Sequence, residues 1–169
     1  ESVSKEFFKE FSNWYFWALS QVEFPVDTLT GGDDDKHRAT SLIRFLTRMI
    51  FCWFLKEKGL IPESLFRQKD LSDILVELDP DSCTYHQGIL QNLFFATLNQ
   101  RMGKNSKGKS YRAFAKDEGF LKNRSTYGVD TLYRYEEHFQ DPDAALSHFA
   151  DVPFLNGGLF ECLDRTEEE

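Results

Sequence analysis

Apolar residues return every three or four positions along the first part of the chain. Phe7, Phe8, Phe11, Trp14, Tyr15, Ala18, Leu19 and Val22 form one stripe, which predicts an α-helix over Ser4 to Val22. Glu23-Phe24-Pro25 ends it, because proline disfavours the helical region for the residue before it. Thr28 to Asp35 is a polar, acidic turn that sets carboxylates against the N-terminal dipole of the next helix. From Lys36 to Lys58 the apolar face is wide: Leu42, Phe45, Leu46, Met49, Ile50, Trp53 and Phe54, broadened by Ile43, Phe51, Cys52 and Leu55. A helix apolar over so much of its circumference is expected to be central, with Trp53 in the core. Lys56 and Lys58 suit its C-terminal end, and Gly59 suits the left-handed residue that closes it.

Pro62 opens a turn that leads to an amphipathic piece, Leu71 to Leu78, which Asp79-Pro80-Asp81-Ser82 breaks. A third long helix is expected over Thr84 to Gln100, with Ile89, Leu90, Leu93, Phe94, Thr97 and Leu98 inward. Gly88 should make its first turn irregular. Met102 to Ser110 has no apolar period and reads as a mobile loop. Beyond the Tyr127-Gly128 turn, Asp130 is placed to cap a helix carrying Leu132, Tyr133, Glu136 and Phe139. Asp141-Pro142 opens another with Ala145, Leu146 and Phe149. Strand signals are weak, so the expected class is all-α, an irregular multi-helix bundle with a basic mobile loop. The expected organisation is one helical connector domain over 1–169. It comprises an N-terminal helix and acidic turn (1–35), core helices (36–100), the basic loop (101–128), and C-terminal helices with the Pro153-to-Gly158 turn (129–169).

Composition sharpens this picture at three points. The chain has 169 residues with 15% aromatics, 17 of them Phe, which is enough apolar surface for one domain to fold without staples. Three cysteines at wide spacing, Cys52, Cys83 and Cys162, offer no disulfide framework and fit reduced thiols in a cytoplasm. The net charge is −8, yet Arg101 to Arg124 holds eight basic residues against Asp117 and Glu118. That balance of +6 leaves −14 on the remainder. A basic segment on an acidic body either follows a DNA backbone through Arg101, Lys104, Lys107, Lys109 and Arg112, with Tyr111 or Phe114 beside it, or is a solvated surface loop. The longest apolar run, Met49 to Leu55, is too short to span a bilayer, so no membrane partner is expected.

Catalytic chemistry finds little to work with. Cys83 and His86 form a single pair with no second pair to complete a tetrahedral metal site, so no metal is expected. The Asp79-Pro80 and Asp141-Pro142 pairs read as turns, and Asn156-Gly157-Gly158 lacks the Lys-Ser/Thr of a phosphate-binding P-loop. No catalytic residue is expected in this chain.

Three stretches carry a family resemblance: Leu42 to Pro62, Leu90 to Asn99, and Leu132 to Tyr135 leading to Val152 to Glu161. In that order and spacing, over roughly Lys36 to Asp164, the chain resembles the helical region upstream of the methyltransferase domain in large type IIG and type IIS restriction-modification enzymes and their phage-defence methylase relatives. The resemblance implies a parent that transfers methyl groups from S-adenosylmethionine to adenine N6 in DNA, in some members with an N-terminal nuclease. It implies a non-catalytic connector here, with no cofactor in this segment and with DNA and the adjoining methyltransferase domain as partners. Phe154, Asn156, Gly157, Gly158 and Phe160 are then the expected contacts to that neighbouring domain, with the two rings only partly covered within this chain. The alternative from the residues alone is a free-standing helical domain that docks a protein partner through the aromatics around Phe154 and Phe160.

Overall fold

The computed structural model describes residues 2–24, 34–104, 107–108, 110–114, 133–155 and 158–160. The chain is mostly helical and divides into two compact units, Glu1–Ile50 and Phe51–Glu169. Among the described residues, no helix is long and apolar enough to cross a membrane. Residues 28–33 of the expected Thr28-to-Asp35 turn, the Asp130 cap, Leu132, the Tyr127-Gly128 turn and Cys162 lie outside the described residues, whereas Asp34 and Asp35 are helical rather than in a turn.

In the first unit, α1 (Ser2–Gln21) meets the opening turns of α2 (Asp34–Glu57). Ala18 of α1 is buried with Leu42 and Leu46 of α2, and Phe11, Tyr15, Leu19, Val22, Phe24 and Phe45 pack around them. The i, i+3, i+4 spacing that predicted the helix therefore selects its buried side. The buried stripe is narrower than expected, however: Phe7, Phe8 and Trp14 stand at 57%, 65% and 46% exposure. They pack locally instead, Phe7 stacked on Phe11 and edge-on to Phe8, and Trp14 tilted against Trp17.

Helix α2 is amphipathic rather than central, which corrects the expectation for Trp53. Leu42, Leu46, Cys52 and Leu55 are buried, whereas Ile43, Ile50, Trp53 and Phe54 are each about half exposed. Lysine ammonium groups lie over two of these rings, with Lys56 Nζ 3.4 Å from the centre of the Trp53 ring and Lys58 Nζ 5.5 Å from that of Phe54. A cation over its face gives an aromatic ring a favourable contact at the surface without a core around it. The helix end matches the sequence expectation. Gly59 has φ +70°, its N–H donates to Lys56 O at 2.8 Å, and the Leu60 N–H donates to Leu55 O at 2.9 Å. These two bonds are the Schellman closure of a helix by a left-handed glycine.

The second unit is built around a π-helix, Tyr85–Leu98, inside which every residue from Gly88 to Leu98 except Gln91 is buried. A helix was expected here, but not its winding. The Asn99 N–H reaches back five residues to Phe94 O, and Thr97 Oγ1 donates to Asn92 O, also five residues back. Gly88 has a packing role: a Cβ there would lie 3.2 Å from Leu75 Cδ2 and 3.4 Å from His138 Cβ. The glycine lets a pair of extended segments lie against the helix.

Those segments are Leu75 and Phe139, joined as an antiparallel bridge by Val76 N–H to His138 O and Gln140 N–H to Ile74 O, both 3.0 Å. Helix α3 (Gln68–Ile74) consequently stops short of the expected Leu78. Leu75 is already extended, and the Gln140 amide donates to Ser72 O and Leu75 O at the helix end. The helix expected through Tyr133, Glu136 and Phe139 is replaced, in its described part, by an extended run with a 3-10 turn, Glu136–His138. Tyr135 at φ 61°, ψ 46° breaks any helical path there, and its ring stacks on His138 at 5.5 Å. Helix α4 (Pro142–Ser147) starts as expected, with Pro142 in its first turn and Asp141 accepting from the Ala144 N–H at 3.1 Å.

Candidate nucleic-acid interface

The π-helix ends at Leu98, and the chain turns directly into the basic segment. Its described part is paired rather than loop-like: β1 (Gly103–Lys104) and β2 (Ser110–Tyr111) form an antiparallel hairpin with Gly103 opposite Tyr111 and Lys104 opposite Ser110. Glycine permits this twice. Gly108 takes φ +74° in the turn, and Gly103 lies under the Tyr111 ring, whose Cε1 and Cζ a Cβ would approach to 3.6 Å.

The hairpin is fixed to the unit through its flanks. Arg112 Nη2 donates to Val152 O at 2.9 Å, and its guanidinium lies 5.9 Å from the centre of the Tyr133 ring. Tyr133 is buried, its hydroxyl is 2.6 Å from Thr97 Oγ1 on the π-helix, and its ring packs against Phe114 and Phe149. Burial pushes the Tyr133 phenol above its usual range, while the Thr97 bond and the Arg112 charge pull it back. From the other side, the Leu155 N–H donates to Leu98 O at 2.8 Å and so closes the π-helix end with the segment after α4.

The five DNA-backbone candidates therefore divide. Arg101, Lys104 and Lys107 are exposed on or beside the hairpin, whereas Arg112 is half-buried and holds the hairpin in place. Lys109 lies outside the described residues. Tyr111 is exposed beside the basic positions, and Phe114 instead turns inward against Tyr133 and Phe139.

Among the interdomain candidates, Asn156 and Gly157 lie outside the described residues and Gly158 is exposed in a 3-10 turn, Gly158–Phe160. Phe160 is 1% exposed, its ring 5.8 Å from both Phe51 and Phe94. It belongs to this chain's own core and not to a free edge. Phe154 keeps part of its surface, and the Arg101 guanidinium sits 5.1 Å from its ring centre. That contact joins one residue from each candidate group.

The chain matches no family model, no curated protein and no solved structure.

The chemistry of the site is that of a charged, half-aromatic surface. Exposed cations on a two-stranded hairpin are suited to oxyanions spaced along a polymer, and Tyr111 and Phe154 give the cations apolar neighbours. Among the described residues, no three His, Cys, Asp or Glu side chains are grouped as a metal site. Sequence reading missed the anchoring role of Arg112. Its acceptor, Val152 O, is 40 residues away, and nothing local to either position signals the pairing.

Proposed function

We propose that this chain is a non-catalytic helical module of an S-adenosylmethionine-dependent DNA adenine-N6 methyltransferase of the restriction-modification type, an irregular bundle that links domains and touches the DNA backbone through its basic hairpin. The observation that carries this reading is the group Arg101, Lys104 and Lys107, exposed together at the end of a buried helix in a chain that is otherwise acidic. Rigid anchoring through Arg112 and Tyr133 supports it, because contacts that position a protein on a duplex need a fixed base. The resemblance of Leu42 to Pro62, Leu90 to Asn99, and Leu132 to Tyr135 leading to Val152 to Glu161, to the connector of such enzymes supplies the parent's chemistry.

Disrupting the gene in its host and mapping N6-methyladenine tests the reading. Methylation at one recognition sequence should disappear, and an unchanged methylation map contradicts the proposal. In calorimetric titration the 169-residue chain by itself should not bind S-adenosylmethionine.

A second reading, a helical domain that docks a protein partner, is favoured by the aromatics of α1: Phe7, Phe8, Phe16 and Trp17 are each more than half exposed. A surface so rich in exposed rings is uncommon on a monomer. Under this reading the methylation map does not change on disruption, and the α1 aromatics rather than the hairpin lysines govern association.

A further inference from the structure

Between the end of the π-helix and the hairpin lies a pocket of about 110 Å³, lined by Gln100, Arg101, Met102, Tyr111, Arg112 and Tyr133 among others. Among the described residues that line it, none is an Asp or a Glu. Arg112 donates from Nη2 to Val152 O and interacts with the Tyr133 hydroxyl, while its Nε is buried and, among the described residues, has no hydrogen-bond partner. A buried guanidinium N–H without an acceptor is unfavourable. Arg101 supplies a second guanidinium. Its guanidinium carbon lies 5.1 Å from the centre of the Phe154 ring. Gln100 also lines the space. The space holds more than one water, so a tetrahedral anion has room.

We propose that this pocket binds a single phosphate group, with Arg101 and Arg112 as its charged donors. Two arginines and, among the described residues, no carboxylate in the lining favour a doubly charged tetrahedral oxyanion over a neutral ligand. The phosphate is either free or carried on a DNA strand. The second source rests on the reading of the hairpin as a backbone contact, and the pocket itself does not.

The test follows the arginine side-chain Nε–H resonances of the full 169-residue chain during titration with inorganic phosphate, at ionic strength held constant with sodium chloride. Arg101 and Arg112 should shift saturably, and Arg101→Ala should weaken phosphate binding about tenfold. Arg112→Lys keeps the charge and removes the Nε–H, so the Arg112 signal should vanish and phosphate binding should weaken likewise. If that variant does not fold, the wild-type titration still decides. An oligothymidine without terminal phosphates distinguishes the sources: if it shifts the same two resonances, the bound phosphate is strand-borne, and if only inorganic phosphate does so, the site is for a free phosphate. Shifts that grow linearly and are reproduced by chloride, or no shift with either probe, overturn the proposal. Shifts that persist in a protein whose hairpin lysines prove irrelevant to DNA contradict the DNA reading alone.

Discussion

Asn92 holds the backbone of Arg134 from both sides: its Nδ2 donates to Arg134 O at 2.9 Å, and its Oδ1 accepts from the Arg134 N–H at 2.8 Å. The same Nδ2 also donates to Gly88 O, so one buried amide ties a turn of the π-helix to an extended segment 42 residues away. Tyr133, next to that clamp, is thereby placed against Thr97 and Arg112. The hairpin's position depends on this chain of contacts. Asn92→Ala orphans both Arg134 backbone groups, and each buried unsatisfied group costs about 1–3 kcal/mol. Urea denaturation should show a loss of at least about 2 kcal/mol, and a loss under about 0.5 kcal/mol shows that the clamp is not where the unit is held.

The aromatic residues of the second unit are unequal in a way that mutation can read. Phe160→Ala opens a cavity between Phe51 and Phe94 and should cost about 3–5 kcal/mol. Trp53→Ala removes a half-exposed ring and its Lys56 contact and should cost about 1 kcal/mol or less. Thermal melts of the two variants side by side decide the matter, because a reversed order places the core on the other face of α2.

The contrast between Trp53 and Phe160 also marks how far the sequence carries. Local rules were readable: Gly59 as the left-handed closure of α2, Asp141-Pro142 as the start of α4, and Asp79 as a turn residue whose carboxylate accepts from the Asp81 N–H. Each depends on bonds within a few residues. The winding of the π-helix, the Leu75–Phe139 bridge and the Arg112–Val152 bond depend on partners from 5 to 64 residues away, and no periodicity reports them. Periodicity identified the apolar faces of α1 and α2 but could not say how much of each would be covered. Lysine ammonium groups over rings and ring-on-ring contacts give exposed aromatics partners outside a core. For the candidate interface, the charge excess was legible and its pairing into a hairpin was not, since two-residue strands leave no alternating pattern.

Tyr85 provides a pH test of the same unit. Burial, with the Cys52 thiol beside it, pushes its phenol from about 10 up to about 12, and its hydroxyl donates to Leu65 O at 3.0 Å. A tyrosine raised in the folded state ionises first in the unfolded chain. Its contribution is therefore complete below about pH 10 and is lost as pH rises from there towards about 12. The wild-type unfolding free energy should fall across that window by about 2–3 kcal/mol more than that of Tyr85→Phe. Parallel curves for the two proteins place the phenol in solvent.

The central proposal is that the basic hairpin meets DNA phosphates, and the most direct measurement is the affinity for duplex DNA, across a salt series, of the methyltransferase that the proposed function names as its parent. Wild type is compared with Lys104, Lys107 and Lys109 changed together to alanine. Each phosphate that the variant no longer neutralises should reduce the magnitude of the logarithmic salt slope by about 0.9. Sequence preference should stay the same, because phosphate contacts position a protein without reading bases. A shallower slope with unchanged preference is the predicted result, and an unchanged affinity and slope contradict it.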